Sequence, residues 1–354
     1  MARLIIIGNG YDLAHLKNKT SYKDFSEWLC NKYQLDINGN NKLYFNLDIP
    51  TYNGTFLNNL VNNNKYNINI KNVDESRKEL FATMLVNMIA DLNDKKWSDF
   101  ENDLGKLDWN KYIDEANKYY GNYCVPGSPV SYGTDLITSA SRTIMDLFIG
   151  WIESIDIYDV KKDYIDKKIG NISNNDYFLI FNYTNTVEKV FLIPKKDNLC
   201  YIHGTASNGN NIVVGHGDIN KSGGSNLDND DDYIKEAEAA LYKNTEQIFE
   251  NHQAFFDNVK SDFCSSEYNE IFVYGWNCSD SDKYYLTKII NIVNGNYCTL
   301  YLNNYDGDGV KKEQLWKANG FKGTTKLISH NYLAILLNHI KSFFHFIWSL
   351  FSNY

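Results

Sequence analysis

Short apolar runs that stop at glycine or a polar turn recur along this chain, with amphipathic stretches between them. Leu4–Ile7 is continuously apolar and is followed at once by Gly8-Asn9-Gly10, the pattern of a strand buried on both faces. Tyr177–Phe181, ended by Asn182-Tyr183-Thr184, and Leu199–Ile202, ended by His203-Gly204, repeat it. So do Ile212–Val214, ended by Gly215-His216-Gly217, Ile271–Tyr274, ended by Gly275, and Cys298–Leu302. Helical spacing predicts a helix over Ser21–Tyr33, with Phe25, Trp28 and Leu29 on one face and a cap at Thr20 or Ser21. A second covers Asp74–Asp94, with Leu80, Met84, Met88 and Leu92 aligned. Trp97–Leu104 starts a short helix, and Ser131–Ile155, Asp232–Lys260 and Ser281–Ile292 read as further helices.

Strands alternating with helices imply right-handed crossovers and a doubly wound, mostly parallel α/β sheet. Residues 1–35 and 175–330 compose a discontinuous α/β core, and 36–174 is a mostly helical insertion. The insertion opens on Asp36–Val73, rich in Asn, Tyr and Lys and without clean periodicity. Residues 331–354 read as an apolar C-terminal helix, in which Phe343, Phe344, Phe346, Ile347 and Trp348 suit core packing, a homo-oligomer contact or a membrane surface. Asn338, His339, Lys341 and His345 interrupt that stretch and argue against a spanning helix.

Composition narrows the class. A chain of 354 residues with 43% hydrophobic and 22% charged residues can bury a large core as a soluble globular protein. Its net charge of -9 argues against broad binding of nucleic acid. Cys30, Cys124, Cys200, Cys264, Cys278 and Cys298 lack C-x-x-C spacing, which points away from a zinc knuckle and toward a reducing cytoplasm. The N-terminal apolar run is too short for a signal peptide, so a cytoplasmic location is expected. No metal site is expected. Asp228–Asp232 lacks the spacing of a calcium loop and reads as a solvated acidic loop capping the next helix.

Ligands of open α/β sheets bind beyond the carboxyl ends of the strands. Here Gly8-Asn9-Gly10, Asn182-Tyr183-Thr184, His203-Gly204 and Gly275-Trp276-Asn277 occupy four such ends. A strand leading through Gly-x-Gly to a helix offers bare backbone N–H groups to a diphosphate or ribose, although Leu13 stands where the dinucleotide fingerprint has a third glycine. Each residue also has a plain structural role available. The glycines can serve a turn, Asn182 can cap a helix starting near Thr186, His203 can be a satisfied strand-end histidine, His15 can pack at a helix end, and His216 can sit in a glycine turn.

The run Leu4 to His15 with Lys19-Thr20-Ser21-Tyr22 resembles the N-terminus of the bacteriophage abortive infection AbiH family. Trp97 to Glu101, Phe181 to Glu188, Ile202-His203-Gly204 and Gly215-His216-Gly217 follow in the same order as in that family, as does Gly275 to Asp282. Where the family reads Gly-His-Ser-Leu before an Asp, this chain has Trp276 and Asn277 in place of the His and Ser. The resemblance covers residues 1 to about 305 and implies a role in defence against phage. More distantly the family resembles the sirtuin-like NAD-binding fold, with Asn182 and His203 at the places of its strand-end Asn and His-Gly. That likeness implies a Rossmann-like core, a small-molecule nucleotide as partner, NAD as ligand and hydrolysis of the nicotinamide–ribose bond.

Under that reading His203, Asn182 and Asp12 are the catalytic candidates. A neutral imidazole at His203 deprotonates a ribose hydroxyl or water, Asn182 positions them, and Asp12 stabilises positive charge or holds His15. Gly8, Asn9, Gly10, His15, Thr184, Gly204, His216, Gly275, Asn277 and Asp282 are the candidate nucleotide contacts. The rival reading is a non-catalytic nucleotide-sensing or interaction module with the same pocket.

Overall fold

The computed structural model of the chain describes residues 1–16, 20–39, 41, 70–91, 101, 104, 140–157, 160, 162, 164–191, 193, 196–206, 212–217, 241–278, 280–293, 297–304 and 307–328. The readings for Asp228–Asp232 and for the tail 331–354 lie outside these residues, as do most of Asp36–Val73 and of Trp97–Leu104. Among the described residues, no helix is long and apolar enough to cross a membrane.

Six strands form one sheet: β1 (Ala2–Ile7), β2 (Asp176–Ile180), β3 (Leu199–Tyr201), β4 (Asn269–Tyr274), β5 (Cys298–Asn303) and β6 (Thr324–Ile328). Their order is β3-β2-β1-β4-β5-β6, and every pairing is parallel. This is the doubly wound order in which the chain reverses direction across the sheet between β1 and β4. Ile7 pairs with Ile180 on one side and Tyr274 on the other, so three strands end at the same level beside that reversal.

Alternation along β1 explains why it is apolar throughout. Leu4 and Ile6 join a cluster with helices α8 (Gln253–Ser265) and α9 (Lys283–Val293), through Phe256, Val259, Leu286 and Ile289. Ile5 and Ile7 point into a second cluster with Ile169 of α5 (Tyr164–Ile169) and Val187 and Val190 of α6 (Thr186–Val190). Helices therefore cover both faces, and β-branched residues suit a strand buried this way.

A third apolar cluster is built mainly by helices, with Tyr183, Val214 and Leu241 from loops. It joins Phe25 and Leu29 of α2 (Tyr22–Tyr33), Phe81 and Leu85 of α3 (Ile70–Asp91), and Phe148 and Trp151 of α4 (Ala140–Ser154). Helix α2 starts at a capping box: the Asp24 N–H donates to Ser21 Oγ over 3.2 Å and the Ser21 N–H to Asp24 Oδ2 over 2.8 Å. That satisfies two of the donors that a helix start leaves over.

Two expectations are corrected. Ile212–Val214 is not a strand; its Val213 N–H donates to the His203 carbonyl, and only His216 forms an isolated bridge, to Tyr242. The helix expected over Asp232–Lys260 is not continuous, because Leu241–Asn244 is non-helical and His252 separates α7 (Thr245–Asn251) from α8. Asn244 caps α7 by accepting from the Gln247 N–H. Beyond Cys298–Leu302 the sheet gains β6, reached through α10 (Gly309–Ala318); as a largely exposed edge strand, Thr324–Ile328 lacks the apolar run that marks the buried ones.

Candidate active site at the sheet reversal

A cavity of about 450 Å³ opens at the carboxyl ends of the strands, within the usual size of a small-molecule site of ~300–1,000 Å³. Gly8, Asn9, Gly10 and Asp12 border it after β1, Asn182 and Thr184 after β2, His203 after β3, and Gly275 and Asn277 after β4. Asp282 and Glu101 complete its acidic part, Phe148 and Trp151 come from α4, and Asn303 and Lys312 lie at the β5 end. The reversal of chain direction leaves this crevice uncovered by a crossover, which is why so many strand ends share it.

The Gly-x-Gly turn is built differently from the expected cradle. Helix α1 (Asn9–His15) starts inside the motif. The Gly8 N–H donates to Tyr274 O at 2.9 Å and the Gly10 N–H to Gly275 O at 3.0 Å. A Cβ on Gly8 would stand 2.5 Å from Trp276 Cα. Both glycines are therefore demanded by the β4 loop, and their N–H groups are engaged by protein. The Asn9 side chain also turns to protein, donating to the Thr20 carbonyl at 2.9 Å.

Asn182 follows β2 and is 3% exposed, yet neither its amide nitrogen nor its amide oxygen completes a hydrogen bond. It does not cap the next helix: Asn185 holds the N-cap position of α6. The neighbouring Thr184 hydroxyl donates to Asp12 Oδ2 at 2.6 Å. Burial pushes the Asp12 carboxyl up to about 6, against the opposing pull of the Thr184 and Thr186 hydroxyls, the nearby Asn182 amide and His15.

His203 is 3% exposed and its Nε2 has no hydrogen-bond partner. Burial, followed by the repulsion of Lys243 and then of the His252 side chain, holds its pKa well below the ordinary 6.5, so the ring is neutral. Its bond to the Phe181 backbone falls to Nδ1, since Nε2 is unpartnered. A carbonyl can only accept, which places the proton on Nδ1 and leaves a lone pair on Nε2. Gly204, at φ +78°, makes the turn that follows.

Behind the cavity, buried Lys243 places Nζ 3.6 Å from Glu101 Oε1 and 3.5 Å from Asp282 Oδ1. The Tyr183 hydroxyl lies 3.3 Å from Glu101 Oε1, and Trp276 Nε1 donates to Asp282 Oδ2 at 3.1 Å. Burial raises the Glu101 pKa, with Lys243 opposing the rise and Asp282 adding to it.

Three expected contacts lie away from the cavity wall. His15 stacks on Tyr11 at 4.0 Å and places Nε2 2.7 Å from Asp166, so Asp166 takes the place expected of Asp12 as its carboxylate partner. His216 accepts from the Lys243 N–H and donates to Leu241 O through its backbone, which positions Lys243. Gly204 acts through its turn. Lys243, Asn303 and Lys312 were not singled out in the sequence, because each is isolated from a motif; Glu101 stood in one, at the end of the run from Trp97. Among the described residues, no three His, Cys, Asp or Glu side chains are placed to hold a metal ion.

The model of the family described as bacteriophage abortive infection AbiH matches residues 4–304 of this chain. No curated protein and no solved structure matches it.

Proposed function

This chain belongs to the bacteriophage abortive infection AbiH family, and we propose that it serves that role by binding NAD in the cavity at the sheet reversal and hydrolysing its nicotinamide–ribose bond. The observation that carries the reading is the set of buried, unpartnered atoms on adjacent strand ends: both amide atoms of Asn182 and Nε2 of His203. Buried polar groups without partners are costly in a finished fold, by about 1–3 kcal/mol each. A bound ribose with its hydroxyls and an attacking water would satisfy them.

In this reading the C1′–N bond breaks with its electron pair passing to the nicotinamide nitrogen. Water oxygen bonds to C1′, and its proton passes to His203 Nε2, whose lone pair is free because the ring is held neutral. Asn182 donates to one oxygen and accepts from another without adding charge. Glu101 and Asp282 stand near the developing positive charge of the ribose. The diphosphate would not lie on the Gly8 and Gly10 N–H groups, which are engaged. Donors that suit it are the Thr20 hydroxyl, buried and without a partner, and the Lys312 ammonium, paired with Asp308 at 3.0 Å.

Purified full-length protein incubated with NAD and assayed for free nicotinamide tests the proposal. Release by the wild type and its loss in His203→Ala is the expected result. Binding without release would identify a sensing module instead, and neither binding nor release would remove NAD from the account.

A further inference from the structure

The two faces of the β4-β5-β6 half of the sheet are covered unequally. Both of its crossover helices, α9 and α10, pack on one face, where Leu286, Ile289 and Trp316 join Val273, Leu300 and Leu302. On the other face α5 and α6 join β1 and β2, and the fully buried members of that cluster reach no further than Phe272 and Tyr274 of β4. Phe272, Tyr301 and Lys326 stand in register there across β4, β5 and β6. Phe272 and Tyr301 are stacked, with centroids 4.5 Å and planes 7° apart. The Tyr301 hydroxyl donates to Glu270 Oε1 at 3.1 Å, and Lys326 Nζ lies 5.4 Å from the Tyr301 ring centre. Tyr301 and Ile328 are half-buried, while Thr324 and Lys326 are exposed.

The sequence after β6 matches this open face. Ser329-His330-Asn331 lead into the apolar stretch 332–351. On a helical period Leu333, Leu336, Ile340, Phe343, Ile347 and Phe351 share one side, and Asn338, Lys341, Ser342, His345 and Ser349 share the opposite one. Such a pattern serves one buried and one solvated side, whereas a membrane span is apolar all round. Twenty helical residues reach about 30 Å, enough to run along strands of about 17–20 Å and across three of them spaced about 4.8 Å apart. The opposite face of β5 and β6 already carries α10, so a chain returning from the end of β6 meets the open one.

We propose that residues 332–351 fold back within their own chain over the open face of β4, β5 and β6. Their apolar side docks on Tyr301 and Ile328, and their Lys341 side remains in solvent. The segment then completes the second helical layer of the sheet and closes the aromatic strip to other partners.

Photo-cross-linking of the full chain tests this, with p-benzoylphenylalanine in place of Tyr301 and products read by gel mobility and peptide mass spectrometry. The expected product is a cross-link within one chain, from position 301 to residues 333–351. Ile340→Asp combined with Ile347→Asp should lower its yield by about 10-fold or more, because two carboxylates would have to be buried against the sheet. His345→Asp, on the solvated side, should leave the yield unchanged. The same probe in place of exposed Thr324 serves if the variant at Tyr301 does not fold. Cross-links to a second copy or to no residue of 333–351, or a yield that the Ile340 and Ile347 variant does not lower, overturn the inference. So does flotation of the wild type with vesicles of equimolar phosphatidylcholine and phosphatidylglycerol, which would assign the segment to a membrane surface.

Discussion

Gly10 and Gly275 occupy each other's side-chain space: a Cβ built on either would lie 2.7 Å from the Cα of the other. Their backbones are also joined, by the hydrogen bond from the Gly10 N–H to Gly275 O. The two halves of the sheet thus meet through two bare glycines where the chain reverses direction. The Gly-x-Gly motif is a joint between β1 and β4 as well as a border of the cavity.

Gly275→Ala tests that joint. Gly275 has φ +73°, and its Cβ would stand 2.2 Å from the Tyr11 nitrogen. The strained backbone and the clash together should lower stability by about 2–4 kcal/mol, read as a shift of the urea midpoint at unchanged slope. Gly10→Ala should act in the same direction, before any effect on a ligand. A wild-type midpoint in both would show that the loops do not meet this closely.

His203→Ala should leave the chain folded and reduce nicotinamide release by about 10²- to 10⁴-fold, the range for removing a positioned base. Asn182→Ala should also slow release, and the double variant should be little worse than the poorer single one, as expected for groups acting on one water or ribose. Because the ring is held neutral well below 6.5, the acid limb belonging to His203 should also fall below that pH. Fully multiplicative losses in the double variant would separate the two roles.

Asp12 should give stability a specific pH dependence. Its folded-state value of about 6 lies above the ordinary 3.8, so between these values the folded chain keeps a proton that the unfolded chain has released. The contribution of Asp12 is therefore most favourable below about pH 4, declines as pH rises and levels off above about pH 6. Asp12→Asn should remove this decline, and its advantage over the wild type should grow across that window to on the order of 2–3 kcal/mol. A difference that is flat from pH 4 to 7 would contradict the burial of an ionising Asp12.

Lys243→Met leaves Glu101 and Asp282 without the cation between them. Breaking a buried pair in this way should cost about 3–5 kcal/mol at neutral pH. Adding Glu101→Gln should recover part of the loss, so a double-mutant cycle by denaturant titration should show coupling well above 0.5 kcal/mol. Strict additivity would mean that the three charges do not act together.

The buried strands were legible because a strand covered on both faces must be apolar throughout, as Leu4–Ile7 and Ile271–Tyr274 are. The edge strand Thr324–Ile328 escaped notice because solvent on its flanks removes that requirement. The start of α2 was legible for a local reason: Ser21 and Asp24 are three residues apart and cap each other directly. The region around Leu241–Asn244 was not, since its non-helical path follows from backbone bonds to His216, far away in the chain. Similarly, Asn182 and His203 stood out at strand ends, whereas Lys243 and Asn303 carry no local pattern.

By itself, then, the sequence determined the alternation of buried strands and helices, hence a parallel doubly wound sheet, and it marked the turns after β1, β2, β3 and β4 as polar strand ends. These properties are local, set by side-chain period and by glycine at turns. Only the tertiary structure decided the strand order that brings those ends to one cavity, the engagement of the Gly8 and Gly10 N–H groups by β4, and the separation of His15 and His216 from the cavity wall. It also decided the charge state of the site, because the neutral ring of His203 and the raised pKa of Asp12 arise from burial and from neighbours such as Lys243 and Thr184. Desolvation and electrostatic pairing depend on distance in space, and separation along the chain does not encode them.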